Sequence, residues 1–260
     1  MTAESPGERR GRRILVTGAS GIAAAASRLL AARGDNVFVV SRDGAKCAAL
    51  AGELGAGAAG WQAADLTREE ATVEAFAAAE AALGSIDGVI AVAGGSARRF
   101  GDGWLHNMTL DAWNAALEMN LTTMFLTVRE AVRHMRAGGG SIVMTSSVLA
   151  TSPQADGFST HGYAAAKAAI TSWVVPLAAA YARDRIRINV VAPGLVRTPM
   201  ARRAAEDEQI LAFAARKQPL VGDMLSAETV GQAMLPMLDA EAVTGQVLAV
   251  DGGWMVTSTS

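Results

Sequence analysis

The stretch Arg13-Ile14-Leu15-Val16-Thr17-Gly18-Ala19-Ser20-Gly21-Ile22-Ala23-Ala24-Ala25-Ala26 decides the fold. A short, continuous apolar run with β-branched members reads as a strand buried on both faces. It breaks at two glycines and passes directly into an alanine-rich helix. Outward from this unit the same alternation recurs, with strands expected at 13–17, 36–41, 60–64, 88–92, 141–145, 186–191 and 246–250. Helical composition and period fill 23–32, 44–53, 68–83, 110–135, 161–183 and 227–238. Strand–helix alternation repeated about six times specifies a doubly wound α/β fold. The expected architecture is a single domain over residues 13–260, a seven-stranded, mostly parallel sheet with helices on both faces. Residues 1–12 read as a flexible N-terminal tail. The segment 199–226 stands outside the rhythm and is expected to form a lid over a ligand.

Composition narrows the function classes. The chain has 260 residues, is 51% hydrophobic and 18% charged, and carries a formal net charge of −2. That apolar content excludes a disordered chain, and the near-neutral charge gives no field for drawing nucleic acid or an anionic membrane. One cysteine, Cys47, excludes an internal disulfide or a cysteine-cluster metal site and fits a reducing cytoplasm. Its expected place is packing on the second helix. The histidines His106, His134 and His161 show no metal-ligand spacing, and no metal is expected. No targeting segment is visible: residues 1–13 are polar and basic, and the apolar run at 14–16 is too short for a signal-peptide core. Residues 163–182 reach the length of a membrane span but carry Lys167, Thr171, Ser172 and Pro176, so a buried helix is the expected reading. Arg9, Arg10, Arg12 and Arg13 read as a solvated tail rather than a phosphate contact.

The turn Thr17-Gly18-Ala19-Ser20-Gly21-Ile22 sits between the first strand and the first helix, where backbone N–H groups and a helix N-terminus can meet a pyrophosphate. Any tight strand–helix connection can also use glycine. At the end of the second strand, Ser41-Arg42 stands where a carboxylate would bond ribose hydroxyls. A guanidinium there suits a 2′-phosphate; a solvated loop cation is the alternative, and Asp43 opposes the phosphate reading. Asp65-Leu66 ends the third strand, placing a carboxylate to accept from an adenine amino group or to cap the following helix.

Taken in order, TGxxGxx(A) near the start, Asp65-Leu66, Ala93-Gly94-Gly95, Asn120, Ser146-Ser147, Tyr163-Ala-Ala-Ala-Lys167, PGLVRTP at 193–199 and DGG at 251–253 resemble the short-chain dehydrogenase/reductase family over almost the whole chain. The resemblance implies a Rossmann fold and a nicotinamide cofactor. It departs from the family pattern twice. The glycine turn is one residue shorter, with Ala23 or Ala24 where the last glycine is expected. Ala91-Val92-Ala93-Gly94 replaces the usual NNAG, so other groups must fix the central strand.

A hydride transfer at a carbinol carbon needs a proton moved on its oxygen, a task for a phenol beside an ammonium. Tyr163 and Lys167, four apart, share one helix face; a buried tyrosine beside a snorkelling lysine would look the same. By resemblance, Tyr163 is the acid/base, and Lys167 lowers its pKa and holds the nicotinamide ribose. Ser147, rather than Ser146, orients the substrate oxygen, although it also suits capping the loop that follows. Asn120 supports a proton-relay water or merely satisfies backbone groups. The dinucleotide contacts implied are Gly18, Ser20, Gly21, Ile22, Ser41, Arg42, Asp65, Leu66, Ala93, Gly94, Tyr163, Lys167, Pro193, Gly194, Val196 and Thr198, the last equally suited to capping the lid helix. His161 is expected at a helix start.

The expected activity is an oxidoreductase acting on a secondary alcohol or ketone, with NADP(H) ahead of NAD(H). Within the family, a 3-oxoacyl-thioester reductase is an alternative. Outside it stand a catalytically weak dinucleotide sensor and a methyltransferase, which would need an acid ending the second strand and give Tyr163 and Lys167 no role. The loops at 96–104, 148–160 and 199–225 are expected to define the small-molecule substrate. The apolar helix at 161–183 needs cover beyond the sheet, and the resemblance, in which this helix and the preceding long one usually pair across a two-fold axis, implies a homo-oligomer, a tetramer ahead of a dimer.

Overall fold

The computed structural model describes residues 11–152 and 157–258. Seven strands form one sheet: β1 (Arg13–Thr17), β2 (Asn36–Ser41), β3 (Ala58–Ala63), β4 (Gly88–Ala91), β5 (Gly140–Thr145), β6 (Ile186–Pro193) and β7 (Val247–Val250). Their order is β3-β2-β1-β4-β5-β6-β7. Every neighbouring pair runs parallel, so the sheet is wholly rather than mostly parallel. The helices are α1 (Ile22–Ala32), α2 (Gly44–Leu54), α3 (Glu69–Leu83), α4 (Leu110–Leu117), α5 (Thr123–Met135), α6 (His161–Tyr181), α7 (Arg202–Ala205), α8 (Glu208–Lys217) and α9 (Ala227–Asp239).

The central strand shows why the apolar runs are continuous. Ile14 and Val16 pack with Leu30, Val39 and Met234 on one face, and Leu15 packs with Phe76, Met124 and Ile142 on the other. All three β1 side chains are fully buried, each worth about 1.5–3 kcal/mol. Strand order reverses between β1 and β4, which opens a crevice beyond their carboxyl ends, the usual ligand position in such sheets.

Three expectations are corrected. The helix read over 110–135 is interrupted by a π turn at Glu118–Thr122, which joins α4 to α5. β3 begins two residues early and β6 runs on through Pro193. The tail read over 1–12 is anchored at its end: the Arg12 guanidinium bonds Leu238 O at 2.9 Å and pairs with Asp239. Arg13 likewise forms a two-point bond to Asp87. Arg9 and Arg10 lie outside the described residues, as do 153–156 of the loop expected at 148–160. Residues 199–226 comprise a 3-10 turn (Pro199–Ala201), α7, α8 and turns leading to Ser226, which caps α9. His161 opens α6, and Cys47 is buried in α2.

Candidate active site

A cavity of about 950 Å³ occupies the crevice beyond β1, β4, β5 and β6. Every cofactor-binding and catalytic residue expected from the sequence lines it except Asn120, which lies behind Gly94 and Gly95.

At one end stands the glycine turn. Gly21 caps α1 with φ +54°, and that helix has neither a side-chain cap bond nor an acidic residue in its first turn. Its first-turn amides are therefore left for an anion. The shortened turn is accommodated sterically. A Cβ on Gly18 (φ +106°) would lie 2.9 Å from the Ala23 methyl, so the missing side chain at 18 makes room for the alanine. Thr17 supplies what the absent asparagines leave open: its Oγ1 accepts from both Val92 N and Ala93 N at 3.1 Å.

Ser41 and Arg42 line the same end. The Asp43 carboxylate is turned onto Lys46, accepting from its backbone N at 3.1 Å and pairing with its Nζ at 2.8 Å. Asp65 bonds the N and Oγ1 of Thr67 in a local turn, while α3 starts at Glu69 with Arg68 in the cap position. Asp65 therefore is not that helix's cap. Thr198 precedes the 3-10 turn Pro199–Ala201 but makes no side-chain cap bond there. Its methyl packs at Gly21, where a Cβ would lie 2.9 Å away.

At the other end, β5 delivers Ser146-Ser147 and α6 delivers Tyr163 and Lys167. The two serines separate by their bonds. Ser146 Oγ is engaged by Lys167 O at 2.8 Å and Thr171 Oγ1 at 2.6 Å, which ties β5 to α6. Ser147 hydrogen-bonds the Tyr163 phenol and also accepts from Leu149 N at 3.2 Å, so one hydroxyl meets the phenol and caps the following turn.

Burial pushes the Tyr163 phenol up to about 12, against the opposing effect of the Ser147 bond. Burial also brings Lys167 down to about 8. Its Nζ donates to Thr145 O at 2.8 Å and lies 5.6 Å from the tyrosine ring centre. Both buried groups favour their neutral forms.

Asn120 is fully buried in the π turn. Its Nδ2 donates to Gly95 O and Ala116 O, each at 3.0 Å, and Oδ1 accepts from Gly95 N at 3.1 Å. Both amide hydrogens hold backbone, leaving one Oδ1 lone pair for a water. A Cβ on Gly94 would come within 2.8 Å of that Oδ1, so glycine is required there.

Two supporting residues escaped the sequence reading. The Asp102 carboxylate, 3% exposed, accepts from Gly162 N and Tyr163 N at 2.9 Å each, fixing the start of α6. Gln218, fully buried, accepts from Leu195 N at 2.7 Å and donates to Leu195 O and Asp223 O, holding the chain just after Pro193-Gly194. Both act across long sequence separations, where no local pattern exists.

The cavity suits a dinucleotide on its own features. Beside the uncapped start of α1, Lys167 Nζ has donors beyond its bond to Thr145, and Thr145 Oγ1 is buried without a partner on the cavity wall.

Comparison with known proteins agrees. A family model described as enoyl-(acyl carrier protein) reductase matches residues 16–255. Cis-4-hydroxycyclohexanecarboxylate dehydrogenase of Sinomonas cyclohexanicum is 37% identical over 245 residues, covering 92% of this chain and 95% of its own. A short-chain type dehydrogenase/reductase structure from Mycobacterium ulcerans matches with a TM-score of 0.88 and 31% identity, covering 95% of this chain and 91% of its own. An actinorhodin polyketide ketoreductase solved with NADPH gives 0.84 and 26% identity, covering 94% and 97%. On these matches, and on the fold and cavity that accompany them, the chain belongs to the short-chain dehydrogenase/reductase family of NAD(P)-dependent oxidoreductases.

Proposed function

We propose that this enzyme interconverts a secondary alcohol and a ketone, with NADP(H) preferred over NAD(H). The observation that carries the reading is the convergence of Ser147, Tyr163 and Lys167 at one end of a cavity whose other end presents an uncapped helix N-terminus and Arg42. The nicotinamide, when bound, supplies or accepts the hydride. Tyr163 gives its proton to the carbonyl oxygen in reduction and recovers it in oxidation. Its raised pKa keeps it protonated at neutral pH, ready as a donor. Ser147 hydrogen-bonds the same oxygen and fixes the phenol. Lys167 offers its remaining donors to ribose hydroxyls, and its charge favours the phenolate once the proton has left.

The preference for a 2′-phosphate rests on Ser41, on the guanidinium of Arg42, which pairs with no carboxylate among the described residues, and on Asp43 being held by Lys46. The ketoreductase solved with NADPH supports the cofactor class. A screen of secondary alcohols and ketones against both cofactors, read by reduced-nicotinamide absorbance, tests the activity. No turnover of any pair would refute it.

We also propose a homo-oligomer in the cytoplasm. The outer surface of α5 and α6 leaves Phe125 and Val175 exposed, with Trp173 against Phe125, an apolar face suited to a second copy. A monomeric mass by light scattering at micromolar concentration would refute the assembly.

A further inference from the structure

Of the residues lining the cavity, Arg42, Arg98, Arg99, Arg202 and Arg203 carry guanidinium groups, and Asp65 is the one carboxylate among the described residues. Asp65 stands by Ser41 and Arg42, because Ala63 pairs with Ser41 in the sheet. The other four arginines line the same cavity as Tyr163, and none of them forms an ion pair with a described residue. Elsewhere exposed arginines do find carboxylates, as in Arg28 with Glu53, Arg136 with Asp184 and Arg197 with Asp223.

Two of the four converge. Arg98 lies on the turn Arg98–Phe100 after β4, and Arg203 on α7 of the lid. Each donates an Nη2 hydrogen bond of 2.8 Å to the same atom, Gly157 O. Two like charges thus meet on one neutral oxygen. Asp102, whose charge acts on Arg98, already accepts from Gly162 N and Tyr163 N. Burial and the charge of Arg203 lower the Arg98 pKa, and the charge of Asp102 opposes them. Leu149, Phe158, Met200 and Trp254 add apolar surface to the lining of the same cavity.

We propose that Arg98 and Arg203 form an anion subsite, and that the substrate is a small hydroxy or oxo acid. Its carboxylate is held by both guanidiniums, its apolar body lies against Phe158 and Trp254, and its carbinol or carbonyl carbon faces Tyr163. The reacting end of this assignment rests on the alcohol–ketone reading above; the anion end stands on the arginines. A carboxylate accepts two-point bonds from guanidinium groups with matching geometry. It would also tie the lid to the loop after β4, so that acid binding closes the site.

The test compares oxo acids with their methyl esters. Levulinate and 4-oxocyclohexanecarboxylate, each beside its ester, are reduced by the wild type, by Arg98→Gln/Arg203→Gln and by Arg98→Lys/Arg203→Lys. The wild type is expected to favour the acid in kcat/KM by about ten-fold or more, mainly through KM. That ratio should collapse toward one in the glutamine pair and recover in part in the lysine pair. Equal kcat/KM for acid and ester in the wild type overturns the proposal, as does a ratio that survives the glutamine pair. Should none of the ketones turn over, calorimetric titration with unreactive cyclohexanecarboxylate decides it. Saturable binding that weakens about ten-fold in the glutamine pair upholds the subsite while the alcohol–ketone reading falls. No saturable binding to the wild type overturns the subsite as well.

Discussion

Asp102→Asn changes one atom type at a buried site and should be felt both in stability and in catalysis. The carboxylate receives two backbone hydrogen bonds at 2.9 Å, from Gly162 and Tyr163, at the N-terminus of the 21-residue α6. A bond to a charged acceptor contributes about 1.5–3 kcal/mol, against roughly 1 for a neutral one. Asparagine keeps a single carbonyl oxygen, so one bond reverts to neutral strength and the second N–H faces an NH₂ group. The lost charge at the helix start adds about 0.3–1 kcal/mol. A total near 3 kcal/mol is expected, which for a chain of this size lowers Tm by about 6–12 °C. Tyr163 is the third residue of α6, so a frayed first turn displaces the phenol from Ser147. A misplaced catalytic group loses rate steeply, and kcat should fall by about ten-fold or more. Scanning fluorimetry and steady-state kinetics on the purified variant measure both effects. A Tm within about 1 °C of wild type together with kcat within about two-fold would refute the role given to Asp102.

Lys167→Met should raise the stability of the cofactor-free protein by about 1 kcal/mol while abolishing activity, since it removes a buried cation. The pH dependence carries the same signature. Lys167 is near 8 in the fold against an ordinary 10.5, so its burial penalty is fully present below 8, and stability rises with pH from about 8 toward 10.5. Above 10 the raised Tyr163 pulls the other way; chemical denaturation across this range should lose the Lys167 rise in the methionine variant. Arg42→Ala should erase most of an expected ten-fold or greater preference for NADP(H), leaving NAD(H) kinetics nearly unchanged. An enzyme with equal or better kcat/KM for NAD(H) would show that Arg42 does not meet the phosphate. Ser147→Ala removes the phenol's hydrogen-bond partner and should reduce kcat on the order of 10², with cofactor affinity retained by fluorescence titration.

The centre of the sheet was legible because β1, β2, β4, β5 and β6 are runs buried on both faces with helical stretches between the strands, a pattern that needs only local reading; the edge strands β3 and β7 are half exposed and take their place from the alternation around them. The π turn at Glu118–Thr122 was not legible, since Leu110 to Met135 keeps one helical composition throughout. The register is broken there by Asn120 reaching Gly95, a tertiary demand. Tyr163, Lys167 and Ser147 could be placed from their motif, but Ser146 differs from Ser147 only through its bonds to α6. Asp102 acts on amides 60 and 61 residues away, and Arg98 and Arg203 meet only at Gly157. Spacing shows that Lys167 is near Tyr163, whereas the burial that raises the phenol and lowers the ammonium is set by the tertiary fold.

Turnover by the wild type and by Tyr163→Phe, measured side by side on an accepted ketone with saturating NADPH, tests the central claim most directly. The account predicts that the variant binds the cofactor as the wild type does while its kcat falls on the order of 10²–10⁴, because phenylalanine keeps the ring and removes the proton. A variant that turns over near the wild-type rate would contradict it.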